Sequence, residues 1–234
     1  MPNGDLENPL DTSIECVLFD LDGTLVDTAP DFAAVVNKLL IENQKKPIAN
    51  DLIYQTVSDG AKALVTLAFG IDEHHEDFSN LNQRLLDLYY EELAETKAVL
   101  YPGMERLLSR IEEVDIKWGI VTNKPEKYTL KLLEKLNLTQ RCKSVVCPDH
   151  VTFSKPHPEP ILLACEQLNV STERVVYLGD HIRDIQAAKN ADVIAIAAAY
   201  GYLKKDAKAE DWYADFVIRE SDQLESLLTL LKFA

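Results

Sequence analysis

Six short apolar runs, at residues 16–19, 116–121, 144–147, 175–178, 193–197 and 216–218, set the terms on which this chain can fold. Each has the length of a strand and is continuous rather than alternating, the pattern of a strand covered on both faces. Helix-period segments lie between them at 104–111, 127–136, 160–168 and 182–188, and another at 224–231 closes the chain. Strand and helix in alternation predict an α/β fold on a doubly wound parallel sheet, with 215–218 as a last strand at one edge.

The span 30–96 departs from that alternation. Phe32, Val35, Val36, Leu39 and Leu40 mark one amphipathic helix, and Ala61, Leu64, Val65 and Ala68 a second; Leu81, Leu85, Leu88, Tyr89 and Leu93 mark a third. The chain therefore divides into a sheet domain over 14–29 and 97–234, an inserted all-helical domain over 30–96, and a polar N-terminal extension over 1–13. Pro102-Gly103 signals the return to the sheet.

Charge narrows the functions open to such a fold. Acidic residues number 39 against 24 basic ones, a net charge of −15, which argues against a nucleic-acid or anionic-lipid surface. No apolar run approaches the ~20 residues of a membrane helix. The first residues carry neither the basic nor the apolar region of a secretory signal. Cys16, Cys142, Cys147 and Cys165 lack Cys-x-x-Cys spacing, and three of them lie in apolar stretches, as buried free thiols do. These features predict a cytoplasmic protein with reduced thiols; monomer and homodimer are both left open.

The chemistry-bearing residues lie at strand ends. The first strand runs out into Asp20-Leu21-Asp22-Gly23-Thr24, at the edge where open α/β sheets place their ligands. Two carboxylates two residues apart point the same way on an extended backbone, and Gly23 permits a sharp turn or a close approach. One such acid can attack while the other trades a proton. Alone, the segment also fits a solvated Asp-Gly turn. The second strand ends at Thr122-Asn123, ahead of a helix whose free N–H groups could face an anion or simply be capped. Pro156 biases Lys155, after the third strand, toward an extended backbone. Val175–Gly179 then delivers Asp180, with Asp184 four residues later, a spacing that suits two acids in a first helical turn or one capping aspartate.

Taken together, these residues make three or four carboxylates converge on one lysine. Like charges ~4 Å apart repel by about 4 kcal/mol at an effective dielectric near 20, so they stay ionised only around a hard cation. An oxygen-only set favours magnesium, Mg2+, and magnesium plus a lysine cages a phosphate dianion.

Asp20-x-Asp22-x-Thr24, Thr122, Lys155-Pro156 and Gly179-Asp180-x-x-x-Asp184 resemble, in order, the four motifs of the haloacid dehalogenase superfamily, over residues 14 to about 199. The helical insert is similar to a type C1 cap, and the chain as a whole to the phosphoglycolate phosphatase branch. Thr122-Asn123-Lys124-Pro125, Cys147-Pro148-Asp149-His150-Val151, Ser154-Lys155-Pro156-His157-Pro158-Glu159-Pro160 and Tyr200-Gly201-Tyr202 more narrowly resemble N-acetylmuramic acid 6-phosphate phosphatases.

The resemblance implies a magnesium-dependent phosphomonoester hydrolase acting through an aspartyl-phosphate on a small sugar or organic-acid phosphate. N-acetylmuramic acid 6-phosphate, in cell-wall recycling, is the first expectation and 2-phosphoglycolate the alternative. Asp20 would be the nucleophile, and Asp22 would protonate the leaving alkoxide and then activate water. The Asp20 and Asp180 carboxylates and the Asp22 backbone carbonyl would hold the magnesium. Asp184 would support that shell or pair with Lys155, with Thr24 supporting the first motif. Thr122, the Asn123 backbone and Lys155 would hold the phosphoryl oxygens.

Departures from the family pattern are few. A second acid at Asp22 disfavours dehalogenation. Asp192 stands where the branch often has glycine, which touches a turn. His181 invites reading as a metal ligand, yet magnesium prefers oxygen, so a role beside the ligands or at the surface is expected. His74-His75 lies in an acidic loop and reads as solvated; Trp118 and Trp212 read as packing residues.

The insert reads as a lid that excludes water and senses the substrate beyond its phosphate. Ser58-Asp59-Gly60 is the candidate substrate-reading loop, although a capped helix start explains the same residues. Two other functions are open: a mutase, which needs the same motifs and moves phosphate within a sugar, and a receiver-type phospho-acceptor, which also uses an acidic pocket, a lysine and magnesium but places its acceptor aspartate on a later strand. The charge of −15 steers nothing from afar, because salt screens beyond about 8 Å.

Overall fold

A computed structural model describes residues 13–231. The extension expected over 1–13 lies outside the described residues apart from Ser13. Six strands form one parallel sheet: β1 (Cys16–Phe19), β4 (Lys117–Val121), β5 (Ser144–Val146), β6 (Val175–Gly179), β7 (Ile194–Ala198) and β8 (Phe216–Ile218). Their order is β5-β4-β1-β6-β7-β8, so the chain builds outward from β1 to one side and then to the other. That reversal beside β1 opens a crevice at the C-terminal strand ends.

The continuous apolar runs are explained by two separate cores. Val17, Phe19, Ile120, Val176 and Leu178 face one cluster, while Cys16, Leu18, Val121, Val175 and Tyr177 face the other. Alternate side chains of each strand thus enter opposite apolar layers, and neither face can be polar. The first layer is closed by α5 (Met104–Glu113), α6 (Glu126–Lys135) and α9 (Gln223–Leu230), the second by α7 (Glu159–Leu168) and α8 (Ile182–Asn190). Trp118 is buried against Phe19, and Trp212 packs on the second layer, as expected of packing residues. Asp192 takes a left-handed φ of 55°, which accounts for the glycine expected at that turn.

Between β1 and β4 the chain rises into helices α1 (Ala29–Glu42), α2 (Asn50–Tyr54), α3 (Ala61–Phe69) and α4 (Phe78–Glu92). Pro30 lies in the first turn of α1, where its missing N–H costs nothing, and Phe32, Val35, Val36, Leu39 and Leu40 form its buried stripe. Phe32 stacks on Tyr89 of α4, ring centroids 4.2 Å apart. The helices leave and rejoin the sheet through a ribbon absent from the sequence reading, β2 (Val26–Asp27) antiparallel to β3 (Val99–Leu100). Among the described residues no helix is long and apolar enough to cross a membrane. All four cysteines are free, and Cys16, Cys147 and Cys165 are buried.

Candidate active site

β1 extends its pairing one residue past its end, where the Asp20 N–H donates to the Leu178 carbonyl at 2.8 Å. That bond fixes Asp20 beside Asp180, which follows β6. Gly23 turns the chain back at φ +79°, and a Cβ there would stand 2.2 Å from Asp180 Oδ2, so turn and close approach both require glycine. Asp180 Oδ2 accepts from the Tyr202 N–H at 2.9 Å and from the Ser58 hydroxyl at 2.8 Å. Thr24 Oγ1 stands 3.5 Å from Asp180 Oδ1.

Oxygens of Asp20, Asp180 and Asp184 all lie within 4.8 Å of one another. All three acids are buried. Lys155 Nζ is 2.9 Å from Asp20 Oδ1 and 2.7 Å from Asp184 Oδ1. It also donates to the Val121 carbonyl and the Tyr177 hydroxyl, each at 2.8 Å. The Lys155–Pro156 peptide is cis. One ammonium against three carboxylates leaves excess negative charge. Burial pushes the Asp20 carboxyl up to about 6 against the pull of Lys155. Burial, with Asp20 and Asp184 alongside, pushes Asp180 up to about 8. An all-oxygen, buried and over-negative cluster of this width fits a hard divalent ion such as magnesium.

Asp22 stands apart from this cluster. Its Oδ1 takes both the Lys124 ammonium at 2.8 Å and the Thr28 hydroxyl at 2.6 Å. Thr122 is buried at the end of β4, and its Oγ1 accepts the Lys124 N–H at 3.1 Å. Asn123 donates from Nδ2 to the Lys155 carbonyl at 3.0 Å and so braces the lysine.

Two local expectations need correction. Helix α6 begins at Glu126, so Thr122 and Asn123 sit in the connecting turn rather than at the helix start. Asp180 and Asp184 do not share a first helical turn: His181 caps α8, Asp180 precedes the cap, and Asp184 accepts the His181 N–H at 3.0 Å. Asp184 therefore caps the helix and pairs with Lys155 at once. The His181 ring accepts the Arg183 N–H, at 3.2 Å, and its other nitrogen lies 3.5 Å from Asp59, outside the acid cluster. His74 and His75 are exposed.

A cleft of about 240 Å³ opens over Asp20 and Asp22, at the small end for small-molecule sites. The insert walls it with Phe32, Tyr89 and the turn Val57–Asp59, which precedes Gly60 and α3. Ser58, Asp59 and Gly60 all line it, and Ser58 also touches Asp180. Three residues here were given no role by the sequence reading: Lys124 and Tyr202, which entered it only within stretches of resemblance, and Arg183, which it did not single out. The Tyr202 hydroxyl donates to Asp27 at 2.6 Å and accepts the N–H groups of Thr28 and Ala29, tying the base of the insert to the loop over Asp180. Lys124 carried a signal, since it directly follows Thr122-Asn123; the reach of Arg183 and Tyr202 is set by tertiary packing.

Comparison with known proteins agrees with this geometry. Residues 17–198 match the model of the haloacid dehalogenase-like hydrolases. The chain is 39% identical over 215 residues to the N-acetylmuramic acid 6-phosphate phosphatase of Pseudomonas aeruginosa, covering 92% of this chain and 95% of that protein. It is also 39% identical over 210 residues to a phosphoglycolate phosphatase of Xanthomonas campestris, covering 89% and 93%. In fold it is similar to the crystal structure of a predicted phosphoglycolate phosphatase from Haemophilus somnus, with TM-score 0.81, 24% identity and coverage of 93% and 99%. It is also similar in fold to CbbY from Rhodobacter sphaeroides, solved with phosphate, with TM-score 0.72 and 21% identity, covering 90% and 96%.

Proposed function

The chain belongs to the haloacid dehalogenase-like hydrolase family and is a phosphatase, and from that premise we propose that it is a magnesium-dependent, cytoplasmic phosphomonoester hydrolase whose substrate is N-acetylmuramic acid 6-phosphate. The observation that carries the reading is the convergence of Asp20, Asp180 and Asp184 at the sheet's crevice, with Lys155 paired to Asp20 and Asp184. Residues 30–96 are its cap and residues 14–29 and 97–234 its catalytic core. The likeness to the Pseudomonas enzyme over 92% of the chain supports the choice of ester. The likeness to the Xanthomonas enzyme, at the same 39%, supports 2-phosphoglycolate as the second reading.

Asp20 attacks phosphorus and forms the aspartyl-phosphate as the bond to the leaving oxygen breaks. Asp22 gives that oxygen its proton. Water then attacks the aspartyl-phosphate, Asp22 takes the water's proton, and phosphate departs with Asp20 restored. Lys155, Thr122 and Asn123 hold the phosphoryl oxygens. Asp20, Asp180 and the Asp22 carbonyl would hold the magnesium, with Asp184 and Thr24 in support. When bound, the ion neutralises charge on the transferring group. Ser58, Asp59 and Gly60 meet the substrate beyond the phosphate.

A phosphate-release screen tests the reading. It includes N-acetylmuramic acid 6-phosphate, 2-phosphoglycolate, glucosamine 6-phosphate and hexose phosphates, each with and without magnesium. The expected result is magnesium-dependent release, highest for the first ester and abolished by Asp20→Asn and Asp22→Asn. Full turnover by Asp20→Asn overturns the covalent route, and isomerised sugar phosphate without net release makes the enzyme a mutase.

A further inference from the structure

Six of the seven arginines pair with a carboxylate of the protein. Among the described residues Arg183 has no such partner, although it stands one residue before Asp184. Its guanidinium makes a single protein hydrogen bond, from Nη2 to the Ser58 carbonyl of the insert. Its Nε is buried with no partner at all. A buried donor left unpaired costs about 1–3 kcal/mol, so such groups usually have a ligand or a structural reason.

The position of Arg183 indicates which ligand. It lines the same cleft as Asp20 and Asp22 and touches the insert's Ser58–Gly60 turn rather than Thr122 or Lys155. The insert walls that side of the cleft, where a substrate held by its phosphate at Asp20 would extend. Lys124 also lines the cleft, but its charge is taken by Asp22 at 2.8 Å. Among the described residues Arg183 is therefore the cleft cation with no carboxylate at ion-pair distance, although its charge is felt at Asp20. A planar guanidinium with free N–H groups matches a carboxylate in both charge and geometry. In a chain of net charge −15, with three buried acids near by, an anionic leaving group needs such a local counter-charge.

We propose that Arg183 is the leaving-group carboxylate site, so that the substrate class is phosphomonoesters of hydroxy acids, sugar acids included, in preference to esters of neutral sugars. This deepens the phosphatase reading and rests on it. Both esters considered above carry a carboxylate, and the site does not choose between them. It chooses against their neutral counterparts. Arg183 acts in binding, while bond breaking stays with Asp20 and Asp22.

Matched pairs of esters test the site. N-acetylmuramic acid 6-phosphate and N-acetylglucosamine 6-phosphate differ by the lactyl group that bears the carboxylate; 2-phosphoglycolate and 2-hydroxyethyl phosphate form a smaller pair. The readout is the ratio of kcat/KM, acid over neutral, in the unmodified protein, Arg183→Met and Arg183→Lys. Dissociation constants for the same pairs are taken by calorimetry in Asp20→Asn, with and without the Arg183 changes. In at least one pair the acid should be favoured roughly ten- to a hundredfold, with that ratio falling toward one in Arg183→Met and part of it kept in Arg183→Lys. Ratios near one in the unmodified protein, ratios preserved in Arg183→Met, or an equal fall for acid and neutral esters each overturn the proposal. Melting curves show whether the variants fold; should Arg183→Met fail, Arg183→Lys decides. If no ester releases phosphate, the phosphatase reading falls, and the calorimetric ratios alone judge the carboxylate site.

Discussion

The Lys124 ammonium stands 2.8 Å from Asp22 Oδ1, buried, with its charge over the rings of Phe32 and Tyr89 at 5.1 and 4.5 Å from their centroids. A catalytic-core lysine thus reaches into the helical insert and holds the side chain assigned to proton transfer. Its aromatic neighbours lie on α1 and α4, so the position of Asp22 depends on how the insert sits.

Lys124 is therefore a positioning residue for Asp22, and the leaving group reveals it. In rapid-quench single turnovers, which isolate the first chemical step, Lys124→Met should slow alkyl phosphates roughly 10- to 100-fold. p-Nitrophenyl phosphate, whose leaving group needs no proton, should slow far less. An equal loss on both esters would mean that Lys124 only supports the fold.

Much of this arrangement was legible in the sequence. The six sheet strands fall within a residue or so of their apolar runs, because a strand buried on both faces leaves a local, unbroken signature. Asp20, Thr122, Lys155 and Asp180 were readable as a set because a parallel sheet sends all strand ends to one edge. What stayed hidden depends on distant pairing. Strands β2 and β3 have two residues each and meet only after the helical insert closes. The Lys124–Asp22 pair spans 102 residues and the Ser58–Asp180 bond 122, and no local periodicity encodes either. Helix α2, five residues long, is too short to show a period.

Gly23 offers a narrow test of the acid cluster. Alanine there meets Asp180 Oδ2 at 2.2 Å on a backbone already at φ +79°. The carboxylate must move, so Gly23→Ala should weaken magnesium binding by at least about tenfold while the far-ultraviolet circular dichroism stays native. Unaltered magnesium affinity in a folded Gly23→Ala protein would remove Asp180 from the ligand set.

Tyr202→Phe addresses the base of the insert. It removes the hydroxyl that serves Asp27 and the N–H groups of Thr28 and Ala29, but keeps the backbone N–H bonded to Asp180. Urea unfolding should show a loss of roughly 1–3 kcal/mol, since buried partners are left unmatched. Magnesium affinity, read by calorimetry, should hold. A variant as stable as the parent would mean that water replaces the hydroxyl at no cost.

Protons and metal should compete for the same acids. Burial raises Asp180 to about 8 and Asp20 to about 6, above the ordinary carboxylate value near 4. Between about pH 4 and pH 8 the folded state therefore holds protons that the unfolded chain has released. By linkage the stability due to these groups is whole below pH 4 and is lost as pH rises through 6 and then 8, at up to about 1.4 kcal/mol per unit for each group. Chelator-treated protein should melt lower at pH 9 than at pH 6, and magnesium should restore most of the difference by supplying the positive charge that the protons supplied. At pH 7 magnesium uptake should expel protons, seen as a calorimetric heat that varies with the ionisation enthalpy of the buffer. A melting temperature that climbs with pH in chelator, together with buffer-independent heats, would show that Asp20 and Asp180 are already ionised without metal, and the cluster would then need another source of positive charge.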